Sequence, residues 1–231
     1  MDENRAGKEG VGGDESRYRL LETILDYAQE QLGGSEEAEA VQRQHATYYL
    51  SLAEEAEREL QGPQQVAWME RLEKEHDNLR KALQWAVDHE EAEIGLRLGG
   101  ALWQFWLQRG NSREGQEWLT RLLAMPGAAE RTAARGRALF AAGGCAATFG
   151  GPEVTLFQES LAIARELGDR WGMSDALSYL AAVAREAGDY EAARARYEES
   201  RVVDAPSDSK SLYDTYEDGD KRRSNRWDMA R

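Results

Sequence analysis

The chain is 231 residues long, enough for one large domain or two small ones. Its 43 acidic residues outnumber 29 lysines and arginines, for a formal net charge of -14. That excess argues against nucleic acid as a direct partner, because contacting phosphates requires a basic face. One cysteine, Cys145, leaves no internal disulfide and suits a reducing cytoplasm. No apolar run approaches the roughly 20 residues of a membrane helix, so no membrane association is expected.

In chain order, residues 1–16 hold no apolar core and read as a disordered leader rather than a secretory signal. "YRLLETILDYAQEQL" follows, with Leu21, Ile24, Leu25, Ala28 and Leu32 at helical spacing, and Gly33-Gly34 ends it. Ser35 offers an N-cap for a second helix, with Glu36 and Glu37 in its first turn, running to about Gln61. Gly62-Pro63 stops it, and a third helix spans about Gln64 to Asp88. A fourth, "EAEIGLRLGGALWQFWLQR", ends at Gly110. Ser112 can cap a fifth, which ends before Pro126-Gly127. A sixth reaches about Phe149, where Gly150-Gly151-Pro152 forces a turn. The seventh is "EVTLFQESLAIAREL", closed by Gly168. The eighth contains "ALSYLAAVAREA", and Gly188-Asp189 turns it into a ninth, "YEAARARYEES". Strong helix formers dominate and no period-two alternation is sustained, so the fold class is all-α.

The segments repeat. "ALFAAGGCAATFGG" from Ala138 aligns with "ALSYLAAVAREAGD" from Ala176, and "FQES" from Phe157 with "YEES" from Tyr197. A weaker copy precedes them in "GLRLGGALWQFWLQRGNSREGQEWLTRLL". A pair of antiparallel helices cannot bury both apolar faces alone, but stacked pairs share one continuous core. The expected architecture is a superhelical stack of antiparallel helical hairpins. Small residues such as Ala142, Gly143 and Ala181 let the helices of a pair approach, and Phe157 and Tyr197 fill the gap to the next. Gly150 and Gly188 accept the positive φ common at helix C-termini.

This pattern resembles the tetratricopeptide repeat. Leu180, Ala181, Gly188, Asp189, Tyr190, Ala193 and Tyr197 fall on the motif's characteristic positions, while Pro206 lies one place beyond its usual terminal proline. A narrower resemblance covers Tyr18 to Ser200. "YRLLETILDYAQEQL", "HATYYLSLAEEAE", "EHDNLRKALQWAV", "LRLGGALWQFWLQRG" and "ARELGDRWG" occur in that order, similar to the region after the nucleotide-binding module in bacterial regulatory ATPases of the LuxR, MalT-like and SARP/AfsR type. The resemblance implies that residues 17–33 are a remnant of a winged-helix unit and residues 34–200 a tetratricopeptide-like repeat domain. It further implies a sensor arm for transcription control, binding a protein partner or small inducer. No G-x-x-x-x-G-K-[ST] phosphate loop occurs, since "AGKEGVGG" has neither that spacing nor a preceding strand, and no basic helix-turn-helix follows the repeats. The expected function is a non-enzymatic interaction module. The alternatives are part of an ATP-hydrolysing regulator that retains nucleotide-dependent activity, or a nonfunctional remnant.

Candidate chemistry is sparse. "EKEHDNLRKALQWAV" sets His76, Asp77 and Asn78 beside Glu73 and Glu75, but His76 falls on the apolar stripe Trp68, Leu72, His76, Leu79, Leu83, Val87 and reads as a core histidine. Asp77 and Asn78 flank the stripe, to cap a kink or face solvent. His45 reads as packing beside Tyr48 and Tyr49. No two of His45, His76 and His89 pair with each other or with cysteine at zinc spacing. Trp103, Phe105 and Trp106 read as core ahead of a ligand groove. The runs "EEAERE" and "HEEAE" read as solvated faces carrying i,i+4 pairs. Cys145 reads as a small buried residue. No catalytic, cofactor-binding or metal-binding residue is expected, and no cofactor.

After Ser200 the periodicity stops, and residues 201–231 read as a disordered tail. Lacking a following helix in register, the eighth and ninth helices should leave part of their apolar face, including Leu177 and Leu180, exposed. Weak homodimerisation through that end is the expected consequence.

Overall fold

The computed structural model describes residues 36–203; the first amphipathic segment and most of the tail lie outside the described residues. The described chain is helical throughout, with short turns. Ten helices follow one another: α1 (Glu36–Glu59), α2 (Gln65–Lys74), α3 (His76–Asp88), α4 (Ala92–Ala101), α5 (Trp103–Arg109), α6 (Ser112–Leu123), α7 (Ala133–Ala147), α8 (Glu153–Leu167), α9 (Arg170–Glu186) and α10 (Tyr190–Val203). They form a solenoid-like stack of hairpins. Helix α1 packs on α2 and α3, the α4–α5 segment on α6, α7 on α8, and α9 on α10. Successive hairpins then join through α1 on α4, α4 on α7, and α8 on α9.

Small residues set the closeness of each pair. A Cβ added at Gly143 would lie 2.7 Å from Phe157 Cε1, so the ring of α8 rests on the bare backbone of α7. Phe157 is fully buried there and joins an aromatic group with Phe140, Tyr179 and, through Phe140, Trp103. In the preceding hairpin the roles are exchanged. A Cβ at Gly115 on α6 would sit 2.6 Å from the Trp106 ring and 2.9 Å from Cys145 Sγ. Cys145 is buried, and burial pushes its thiol up to about 12, so it stays protonated and inert as a small packing residue.

Helix ends follow local chemistry. Gly150 and Gly188 adopt the expected positive φ, 71° and 82°. Asp169 and Thr132 cap α9 and α7, their side chains accepting from the Gly172 and Arg135 amides. Ser112 does not act as expected: it is the first residue of α6 and buried, Asn111 precedes it, and neither makes a side-chain cap bond.

Two single helices expected from periodicity are broken. The stretch from Gln64 to Asp88 divides at Glu75 (φ -97°, ψ 4°), whose amide bonds to the Arg71 and Leu72 carbonyls. The Glu75 carboxylate accepts from Tyr49 Oη at 2.9 Å and Asn78 Nδ2 at 2.7 Å, so the kink is held from α1 and from the following turn. The stretch from Glu91 to Arg109 divides at Leu102, just after Gly99-Gly100, a glycine pair of the kind that bends helices. Trp103, Phe105 and Trp106, which follow the break, are buried.

The far end of the stack is covered more completely than the sequence suggests. Leu177 and Leu180 are buried. Ser200 reaches into the interface between α9 and α10, its Oγ 3.0 Å from Ser174 Oγ and 3.2 Å from Ser178 Oγ. The exposed side of α10 is largely charged, with Glu191, Arg194, Glu198 and Arg201, although Tyr190 and Val202 also stand in solvent. The apolar edge expected at Leu177 and Leu180 is therefore absent, and with it the ground for dimerisation through those residues.

The ring-on-glycine contact gives a stability test. Gly143→Ala places a methyl inside the Phe157 ring's radius, and overpacking of this kind costs about 1–3 kcal/mol. The gain in helix propensity, up to about 1 kcal/mol, offsets only part of it. Urea unfolding should show a net loss for Gly143→Ala. Combining it with Phe157→Leu should cost less than the two single losses added together. Strict additivity would mean the two sites do not touch.

Candidate functional site

Where α1, α4, α7, α8 and the start of α9 converge they leave a cavity of about 270 Å³. Its apolar floor includes Phe140, Ile163 and Ala164, and Leu167 stands half-exposed at the lip. The absence of side chains helps keep it open: a Cβ at Gly136 would already meet Ile163 Cγ2 at 3.3 Å. The Gly136 carbonyl is occupied by the buried Ser160 hydroxyl, which donates to it at 2.8 Å.

The walls are charged. Glu54, Glu57, Glu93, Asp169 and Asp175 face two arginines, Arg97 and Arg137. Five carboxylates against two guanidiniums leave the cavity about three charges negative. Two ion pairs cross it. Arg97 Nη2 lies 2.6 Å from Glu54 Oε1, joining α4 to α1. Arg137 pairs with Glu57, joining α7 to α1 across 80 residues of sequence. The Arg137 stem can cross α4 because Gly100 has no side chain; a Cβ there would be 3.1 Å from Arg137 Cγ. Burial works against the Arg137 charge, but Glu57, Asp175 and Asp169 outweigh it and hold its pKa above the ordinary value. The site thus offers an apolar floor, an acidic rim and fixed arginines. That suits an elongated ligand or segment with cationic and apolar groups, with no nucleophile–base arrangement for chemistry.

The residues singled out by sequence lie elsewhere. His76 is half-buried on α3, its ring edge-on to Phe105 at 5.2 Å, with Nε2 3.2 Å from Glu114 Oε1. Arg80 clasps the same carboxylate through Nε at 2.6 Å and Nη2 at 2.7 Å. Asp77 is exposed and reaches Arg80 at 3.5 Å, and Asn78 supports the Glu75 kink. His76 and Arg80 thus tie α3 to α6 through Glu114. His45 stacks tilted on Tyr49, as packing requires. His89 stacks on Trp85. Among the described residues no group of three or more His, Cys, Asp or Glu is placed to hold a metal ion.

The aromatics Trp103, Phe105 and Trp106 are core, but Phe140, which sequence reading passed over, lines the cavity. The acidic runs also behave differently from the expected solvated faces. Glu54 and Glu57 of "EEAERE" pair with arginines of other helices, and Glu91 of "HEEAE" pairs with Arg43 of α1. These partners lie more than forty residues apart, beyond any i,i+4 pattern.

No protein-family profile matches the chain. It is similar to proteins named as candidate HTH-type transcriptional regulators. One belongs to Mycobacterium bovis and two to strains of Mycobacterium tuberculosis, each 33% identical over 172 residues. The match covers 71% of this chain and 19% of each relative, so the chain spans about a fifth of the length of the curated relatives it matches. No described helix is long and apolar enough to cross a membrane.

Two half-buried titrating groups make the stability of the fold depend on acid. Burial alone would raise the Glu114 carboxyl, but hydrogen bonding to Arg80 and the charges of His76 and Arg80 hold it below its ordinary 4.5. A depressed carboxylate contributes stability that is present above pH 4.5 and lost as pH falls through the lower folded value. Burial, aided by the Lys81 charge, lowers His45 below 6.5, which likewise costs stability once pH drops beneath 6.5. Denaturant midpoints measured from pH 7 downward should therefore fall in two stages. His45→Gln should flatten the stage just below pH 6.5, and Glu114→Gln the stage below 4.5. Unchanged slopes in either variant would remove that residue from the account.

Proposed function

We infer that this chain is the non-enzymatic interaction arm of a signal-dependent transcriptional regulator, built as a tetratricopeptide-like repeat. The observation that carries this reading is the match over 71% of the chain to a fifth of the length of regulator-named relatives. The fold and the cavity support it. A stack of hairpins presents a long, shaped surface, and the acidic, apolar-floored cavity is one recess in it. In this reading the arm binds a protein partner or small inducer in the cavity and transmits occupancy to the rest of a regulator. DNA contact belongs to another part of such a regulator, because this chain is strongly acidic. ATP handling belongs elsewhere too, because this sequence contains no phosphate-loop lysine motif.

Two measurements test the reading. Calorimetric titration of the chain with ATP and magnesium should give no saturable heat, and saturation at micromolar affinity would overturn the non-enzymatic assignment. Expression of the chain in its host should change a defined set of transcripts by competing for the arm's partner. Glu93→Lys, an exposed substitution on the cavity rim, should abolish that change at equal protein level. A transcript set indifferent to the cavity variant, or no transcript response at all, would count against the cavity as the sensing surface.

A further inference from the structure

We propose that the cavity takes a small organic ammonium ion, whose apolar body lies on the floor and whose charged nitrogen faces Glu93. This rests on the reading of the cavity as the arm's binding site and narrows it to one class of ligand. An acidic rim alone would not define that class. Size, floor and rim together do.

Size comes first. A cavity of about 270 Å³ falls just below the roughly 300–1,000 Å³ of sites that hold drug-sized ligands, so it fits a small molecule. A protein segment fits it poorly. An extended backbone brings an N–H and a C=O with each residue, and each needs a partner once it leaves water. The floor has little to offer them. Phe140, Ile163 and Ala164 are apolar, and the buried Ser160 hydroxyl already donates to the Gly136 carbonyl at 2.8 Å. The same shortage of open polar groups disfavours a sugar, whose hydroxyls would lose water there without replacement.

Charge decides the rest. Both arginines of the walls are engaged. Arg97 donates to Glu54 through Nε at 2.8 Å, and its Nη2 lies 2.6 Å from the same oxygen. Arg137 donates to Glu57 through Nε at 3.0 Å and through Nη2. An anion would reach either guanidinium only by displacing a carboxylate that joins two helices. Those pairs account for Glu54 and Glu57. Glu93, in the first turn of α4, is different. It stands exposed on the rim, and among the described residues nothing bonds to its carboxylate. Asp169 accepts from the Gly172 amide at 3.1 Å, a neutral donor, and adds a second carboxylate to the lining.

An amine on a short apolar body meets each condition. Its hydrocarbon asks no hydrogen bond of the floor. Its nitrogen, held at the rim, has donors for Glu93 and stays within reach of water.

The test titrates the full chain with three compounds that share a phenylethyl body and differ in charge: 2-phenylethylamine, 2-phenylethanol and 3-phenylpropionate. Glucose serves as the polyol. Amide signals of Gly136, Ala164 and Gly172, which line the cavity, report binding. At low salt the amine is expected to shift them saturably and the alcohol more weakly, while the carboxylate and glucose leave them in place. Raising ionic strength to about 1 M, where the Debye length falls to roughly 3 Å, should remove the advantage of the amine over the alcohol. Glu93→Gln, an exposed change that leaves the packing intact, should weaken the amine about 2- to 5-fold, the measure of one exposed ion pair, and leave the alcohol unchanged. Leu167→Ala, at the half-exposed lip, should weaken both alike. Equal affinity for amine and alcohol, or an amine indifferent to Glu93→Gln, would overturn the proposal. Stronger binding of the carboxylate or of glucose would overturn it too, yet leave the cavity a ligand site. So would silence from every compound, which leaves a protein partner for the arm, read separately by the transcript response.

Discussion

The fold depends on a ring set against a missing side chain. Phe157 can lie on α7 only because Gly143 has no Cβ, and the close approach it permits carries the aromatic group that joins α7, α8 and α9. Trp106 on Gly115 does the same work one hairpin earlier, with ring and glycine exchanged between helices. Each contact removes a large apolar surface from water and fixes the spacing of a helix pair. The next pair then packs on a surface of defined shape, so the stack is specified one hairpin at a time.

That local logic explains what the sequence shows. Helix α8 was legible to its last residue because a proline precedes it and a glycine ends it, and both act on the nearest few peptides. The hairpin register was legible because small and aromatic positions recur together. Breaks at Glu75 and Leu102 were not. The kink at Glu75 is held by Asn78, which the sequence offered as a kink cap or a solvent-facing residue, and by Tyr49, 26 residues away and outside the Gln64–Asp88 stretch. Leucine periodicity continues through both breaks, since a bent helix still needs a buried face.

The cavity was illegible for the same reason at greater range. Glu57 and Arg137 stand 80 residues apart, and each alone is an ordinary charged residue on an amphipathic helix. The end of the stack misled in the opposite direction. Loss of periodicity after Ser200 suggested a bare apolar edge, but Ser174, Ser178 and Ser200 form a small polar interface that helps to seat α10. Serines are neutral in a hydrophobic pattern, so a serine-lined contact leaves no trace in one.

The ion pairs of the cavity have a role separate from stability. Exposed and half-exposed pairs contribute about 0–1 kcal/mol each, far less than the buried rings. Their placement is informative instead. Glu54 and Glu57 lie one helical turn apart on α1, yet they reach different helices, α4 and α7. Helix α1 therefore sets α4 and α7 against a common reference, which fixes the width of the cavity between them. The same pairs set the two arginine charges of the wall beside carboxylates. What a ligand encounters is a negative rim around an apolar floor. A change in the separation of α1 and α7 would strain the Glu57–Arg137 contact and alter that rim directly.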